Sequence, residues 1–101
     1  MTETELEDFL ILRNLDEPIP EDTFEAAAGK AMEVLEYLTD EGVGIRWMKS
    51  DVRTREDGAV TGTFCHYQAE NEEALYEHAD RAGLPVTRID LRGATLESGS
   101  R

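Results

Sequence analysis

Residues 61–85 read TGTFCHYQAENEEALYEHADRAGLP, and this stretch decides the fold because it joins a buried strand to a capped helix. It also holds the single cysteine and both histidines of the chain. The unbroken run from Phe64 to Tyr67 predicts a strand that is covered on both faces. Asn71 is placed to cap the first free N–H groups of the helix, and Gly83 is placed to end it. The sheet that contains this strand therefore needs a layer on each side.

The first half of the chain predicts one strand and one helix before this unit. Residues 8–15 (DFLILRNL) are expected to form strand one, and residues 16–20 (DEPIP) to form a connection, because proline donates no hydrogen bond to a ladder. Apolar residues at three- and four-residue steps predict an amphipathic helix over residues 21–40. Gly29 inside it predicts close packing against a neighbour.

The second half predicts a hairpin, a helix and a last strand. Alternating residues favour strand two at 43–53, and the Asp-Gly pair that ends at residue 58 indicates a tight turn into strand three at 59–68. Helix two is expected at 72–82 and strand four at 86–91. The inward face of helix two is predicted to consist of Leu75, His78, Ala79 and Ala82.

This order of elements, β-α-β-β-α-β, predicts an α+β fold of the ferredoxin-like type, with two helices on one face of a four-stranded antiparallel sheet. Strands one and three carry apolar residues at both odd and even positions, so both faces of the sheet carry apolar side chains. The face without helices should therefore be covered by a second copy of the chain. We therefore expect a homodimer, a dimeric α/β barrel. Residues 8–92 form the predicted domain, between an acidic leader at 1–7 and a flexible tail at 93–101.

The charge excludes some partners. The 101 residues include 23 Asp and Glu against 10 Lys and Arg, a formal net charge of -13, which repels nucleic acid and anionic membranes. Dispersed acids with only Lys30 and Lys49 as lysines predict adaptation to a salt-rich cytoplasm; an ordinary acidic protein and a cation-binding surface are the alternatives. The absence of a long apolar run and the acidic N-terminus favour a soluble cytoplasmic protein.

Cys65, His66 and His78 are the candidate metal ligands, with Glu77 or Asp80 as an added carboxylate. Thiolate and imidazole suit Ni²⁺, Zn²⁺ or Cu²⁺. Since neighbouring strand residues point to opposite faces, one of the first two should face helix two and meet His78, and the other should face the partner subunit. The alternatives are a buried apolar role for the cysteine, a packed helix histidine bonded to a carboxylate at 78, and a surface histidine at 66.

Trp47 and Tyr67 support a ligand pocket enclosed by the sheet face of the dimer. Such a pocket would allow an enzyme of the cofactor-free oxygenase or isomerase type, with His66 as its general base. Core and interface packing is the alternative role for these aromatic residues. No other catalytic residue stands out.

Three segments are similar to one known family: GIRWMKSDV (44–52), FCHYQAENEEAL (64–75) and EHADRAGLPVTRI (77–89). Through them the chain resembles a family of small, mostly uncharacterised ferredoxin-like proteins, some described as nickel-binding, in an acidic, halophilic version. The resemblance implies a dimeric α+β barrel and transition-metal binding. Cys65 and His78 stand where family members commonly have the same residues, whereas His66 replaces a usual apolar residue and Asn71 a usual serine.

The leading prediction is a homodimeric protein that binds a metal, nickel or zinc, or a small ligand, without catalytic activity. The dimeric barrel enzyme is the main alternative. A structural or regulatory module that binds a partner is the third.

Overall fold

Four strands and two helices build the chain, as seen in a computed structural model that describes residues 5–94, 96 and 98. The elements in order are β1 (Glu7–Ile19), α1 (Glu21–Asp40), β2 (Ile45–Thr54), β3 (Val60–Ala69), α2 (Glu72–Ala82) and β4 (Arg88–Leu91). The sheet order is β2-β3-β1-β4, and every neighbouring pair is antiparallel. The predicted ferredoxin-like fold is confirmed. The predicted leader and tail fall partly outside the described residues and stay predictions.

The register of the two central strands separates two faces of the sheet. Phe9 pairs with Tyr67 and Ile11 with Cys65, and all four side chains are buried toward the helices. The residues between them point the other way, to the side that we call the open face. It carries Leu10, Leu12, Phe64 and His66 from the central strands, as the alternation of side chains along a strand requires.

β1 is longer than predicted, because it continues through the segment expected to be a connection. Asn14 pairs with Gly62 and Ile19 with Val60, so residues 15–18 bulge opposite a single residue of β3. A bulge leaves its extra residues out of the ladder, and Pro18 therefore removes no sheet hydrogen bond. The strand ends only before Pro20, which is the N-cap of α1.

α2 begins and ends as its sequence predicts. The side-chain oxygen of Asn71 accepts a hydrogen bond from the backbone N–H of Ala74 at 2.9 Å. Gly83 has φ 73°, the left-handed conformation that terminates many helices. Between these caps the predicted inward residues are all buried, among them Leu75 and His78. These signals fix α2 against the sheet.

α1 packs less closely than its pattern predicts. Of its residues, all of which are described, Leu38 alone is buried. The residues on its inner side nearer the N-terminus are short, at Ala27, Ala28 and Ala31, and do not fill the space above the sheet. The predicted close packing at Gly29 is wrong, since a Cβ there would meet nothing within 4 Å.

Among the described residues, neither α1 nor α2 combines the length and the apolar content that a membrane-spanning helix needs.

Candidate functional site

A cavity of about 500 Å³ lies between α1 and the helix side of the sheet. This volume falls within the usual range for small-molecule pockets. Short alanines of α1 form its roof, as described above, and the sheet forms its floor. Its apolar lining includes Leu15, Ile19, Phe24, Ala27, Ala28, Ala31, Met32, Leu35, Val52 and Leu84.

The mouth of the cavity lies between α1 and β2. Met32, Trp47 and Val52 all line the cavity and are 41%, 42% and 46% exposed. Apolar side chains that line a cavity and are also partly exposed to solvent mark the entrance of that cavity. A ligand would therefore enter past the indole of Trp47.

A row of hydrogen bonds crosses the floor of the cavity. The indole Nε1–H of Trp47 donates to Ser50 Oγ at 2.9 Å, and the Ser50 hydroxyl donates to Cys65 Sγ at 2.9 Å. The Cys65 thiol in turn lies 3.3 Å from Thr63 Oγ1. The register shift between Trp47 and Lys49 places Ser50 opposite Cys65. We call these four side chains the floor row.

His78 reaches the cavity from α2 in a defined tautomer. Its Nε2 lies 2.9 Å from the backbone oxygen of Ala31, and because a carbonyl only accepts, Nε2 must carry the proton. In the neutral ring Nδ1 therefore has a free lone pair, and it is buried without a hydrogen-bond partner in the described part of the chain. Burial has the largest effect and lowers the pKa of His78. The hydrogen bond to Ala31 raises this pKa, and the positive charge of Arg13 lowers it. The lowered pKa and the unpartnered Nδ1 both favour the neutral imidazole.

Arg13 lines the same cavity from β1 and is only 4% exposed. Its Nη1 donates to the carbonyl of Pro85 at 2.8 Å, and its guanidinium carbon lies 5.8 Å from the centre of the Tyr67 ring. Nη2 is buried and has no hydrogen-bond partner among the residues that the structure describes. Sequence reasoning missed this residue, although Arg13 shares its parity in β1 with Phe9 and Ile11, the signal that could have found it.

The structure divides the predicted site residues among three places. Cys65, His78, Trp47 and Tyr67 line the cavity, and the rings of Tyr67 and His78 lie 5.7 Å apart. Glu77 lies on the outer side of α2, where it pairs with Arg81 at 2.8 Å. His78 is bonded to a backbone carbonyl, and the alternative of a carboxylate partner is therefore wrong.

His66 lies on the open face, away from Cys65 and the cavity. Its Nε2 is 2.7 Å from Asp8 Oδ1. The hydrogen bond from His66 is the main cause that lowers the pKa of the Asp8 carboxyl, and the hydrogen bond from Gln68 lowers it further. The aromatic residues expected beside His66, Trp47 and Tyr67, therefore lie on the other side of the sheet, in the cavity with His78. The reason is the parity of β3, which turns Tyr67 toward the helices.

One chain does not complete a metal site in the cavity. Cys65 Sγ and His78 Nδ1 are the soft and borderline donors there, and no Asp or Glu stands among the described lining residues. Arg13 adds a positive charge to the same space. Across residues 5–94, 96 and 98, no group of three or more His, Cys, Asp or Glu side chains is arranged to hold a metal. A divalent ion in the cavity would need further ligands besides these described residues.

Two comparisons with known proteins agree with this fold. A family model described as "Nickel responsive protein SCO4226-like" matches residues 9–91. The crystal structure of SCO4226 from Streptomyces coelicolor A3(2) is similar with a TM-score of 0.64 and 15% sequence identity, covering 88% of this chain and 99% of that chain. At this identity the likeness shows the fold alone. No curated protein matches the chain.

Proposed function

The chain belongs to the SCO4226-like family of nickel responsive proteins, and from this premise we propose that it is a binding protein without catalytic activity. Its binding site is the cavity between α1 and the sheet. The observation that carries the proposal is the cavity itself: about 500 Å³, with a largely apolar lining and a small number of buried polar groups. This combination is typical of sites that hold small organic ligands.

The bonding of the floor row supports binding over catalysis. Nucleophilic catalysis needs a hydroxyl or thiol bonded to a base that can take its proton. Ser50 and Cys65 bond to each other and to Trp47 and Thr63 instead. The neutral His78 directs its proton to a backbone carbonyl. These contacts hold side chains in place and prepare no nucleophile.

Decanol, a neutral apolar probe, tests the proposal. Trp47 is the only tryptophan of the chain, so its fluorescence reports on the mouth of the cavity. We expect decanol to change this fluorescence in a saturable way. Ala28→Phe, which fills the cavity, should weaken binding by about tenfold or more.

The matched control is Ala26→Phe, which makes the same change on the exposed side of α1. It should leave decanol binding unchanged. Circular dichroism should show that both variants keep the fold. A wild type without saturable binding, or two variants that bind alike, would contradict the proposal.

Nickel binding is the second candidate function, favoured by the tautomer of His78. Imidazoles that ligate metals usually donate their second N–H to a carbonyl or carboxylate, as His78 does to Ala31. Cys65 lines the same cavity. The family description also names nickel. In this proposal Cys65 and His78 supply two ligands, and a small molecule in the cavity supplies the others.

Calorimetric titration of nickel tests this second candidate. Cys65→Ala and His78→Gln should each weaken binding, because each removes one of two protein ligands. His66→Gln changes the other histidine, which lies on the open face, and should leave the affinity as it is. Equal affinity in all four proteins would rule out the cavity as the nickel site.

We also propose that the open face pairs with a second copy of the chain. Leu10, Leu12 and Phe64 lie beside one another on the two central strands of that face. Phe64 is 38% exposed, and burial of such a ring is favourable. A homodimer formed through this face would cover these side chains and leave the mouth of the cavity free.

A further inference from the structure

The cavity contains a buried positive charge for which the described residues supply no counter-ion. Arg13 is 96% buried, and among the described residues none of the ion pairs involves its guanidinium. This is unusual in a chain with 23 acidic residues, which offers many potential partners. A buried charge is costly unless it is paired and hydrogen-bonded. Arg13 therefore favours an anion beside it.

The contacts of Arg13 define where that anion would bind. Nη1 is held by the carbonyl of Pro85, and the guanidinium lies over the ring of Tyr67. These two contacts fix the orientation of the group. Nη2 has no hydrogen-bond partner within residues 5–94, 96 and 98, and it belongs to a side chain that lines the cavity. An arginine held in this way is prepared to donate to a carboxylate oxygen.

The rest of the cavity suits a hydrocarbon. Phe24, Leu35 and Met32 line it with the alanines of α1, and they offer no charged group to a ligand. Among the described residues, the only other buried side-chain N or O atom without a partner is Nδ1 of His78, which is an acceptor in the neutral ring and does not compete for the anion. The cavity is therefore cationic at Arg13 and otherwise uncharged, with a largely apolar lining.

We propose that the ligand of this cavity is an amphipathic organic anion, a medium-chain carboxylate whose head group pairs with Arg13 and whose chain lies under α1. This inference rests on the proposed binding function and names its ligand class. The net charge of -13 does not oppose it strongly, because surface charges are screened over about 8 Å at physiological ionic strength. A direct contact inside the cavity is screened much less.

Decanoate and decanol, which share a chain length and differ in the head group, test the inference. Both are titrated into the wild type at pH 8, with Trp47 fluorescence and calorimetry as readouts. The wild type should bind decanoate at least about tenfold more tightly than decanol. Arg13→Met should abolish this preference and still bind decanol, and Arg13→Lys should keep part of it.

The outcomes separate the two proposals. Equal affinity of the wild type for decanoate and decanol would overturn the carboxylate inference and leave the binding function intact. Absence of binding for both would overturn the binding function itself. The comparison of the two probes on the wild type is decisive even if Arg13→Met does not fold.

Discussion

The Nε2–H of His78 donates to the backbone oxygen of Ala31 at 2.9 Å and so joins α2 to α1. The bond lies at the part of α1 where short side chains leave a space above the sheet. It replaces apolar packing with a polar link between the two helices. It also fixes the tautomer that leaves Nδ1 free in the cavity.

The burial of this histidine predicts that the protein loses stability in mild acid. Burial lowers the pKa of His78 below its ordinary value of 6.5, so the unfolded chain takes up a proton there before the folded chain does. The contribution of His78 is complete above pH 6.5 and declines as the pH falls through that value. The slope should approach at most about 1.4 kcal/mol per pH unit. Urea denaturation between pH 8 and pH 5 measures it.

His78→Gln is the control, since glutamine does not titrate. The variant should show a smaller slope between pH 6.5 and pH 5 than the wild type. The lowered pKa of Asp8 does not interfere, because its contribution is lost only below the ordinary value of 3.8. Identical slopes in the two proteins would show that the folded chain protonates His78 as readily as the unfolded chain.

Two glycines should respond to alanine in opposite directions. A Cβ on Gly62 would collide with the backbone oxygen of Arg13 and the guanidinium of Arg53, and Gly62→Ala should cost about 1–3 kcal/mol. Gly29 lies in α1 with open space around it, and Gly29→Ala should stabilise by about 1 kcal/mol. Chemical denaturation measures both. A Gly62→Ala variant as stable as the wild type would contradict the close approach of β1 and β3.

The acidic surface predicts that folding requires salt. A net charge of -13 on 101 residues destabilises the compact state by self-repulsion. Surface charges repel one another over about 3 Å in 1 M salt and over about 10 Å in 0.1 M salt. Dilution therefore restores the repulsion. We expect the helical circular dichroism signal and the Tm to fall on dilution. Full folding at low salt, or equal protection by an uncharged osmolyte, would contradict this reason.

Phe64→Asp should convert the proposed dimer into a monomer. The change places a carboxylate among Leu10 and Leu12, where the second copy would be packed. Tyr76→Asp is the matched control, because it replaces an aromatic residue that is 51% exposed on α2. Sedimentation velocity in 2 M salt measures both. A monomeric wild type, or a Phe64→Asp variant that stays dimeric, would rule out the open face as the interface.

The fold was predictable because its signals are local. The cap at Asn71, the left-handed Gly83 and the turn at Gly58 each act within a few residues, and all three are present. The length of β1 was not predictable in this way. Its continuation to Ile19 depends on pairing with Val60 across a bulge, which involves two distant segments.

The residues singled out from the sequence do not all lie together: His66 is on the open face and Glu77 on the outer side of α2. Chemistry alone selects Cys65, His78, Trp47 and Tyr67, and all four line the cavity. The face on which they meet depends on which parity of β3 turns toward the helices. Arg13 resembled the polar end of an apolar run. The space above Arg13 exists because α1 carries short alanines there. The spacing of these alanines in the sequence predicts that they face the sheet, but it does not say how far from the sheet they lie.

The sheet order also determines when each strand can find its neighbours during synthesis. β1 leaves the ribosome first, yet its register joins Phe9 to Tyr67 and to Leu91, which are made much later. The β2–β3 hairpin closes over a short turn and needs no distant residue. A nascent chain that pauses before residue 60 therefore keeps an apolar strand without a partner, a state prone to aggregation until the hairpin arrives.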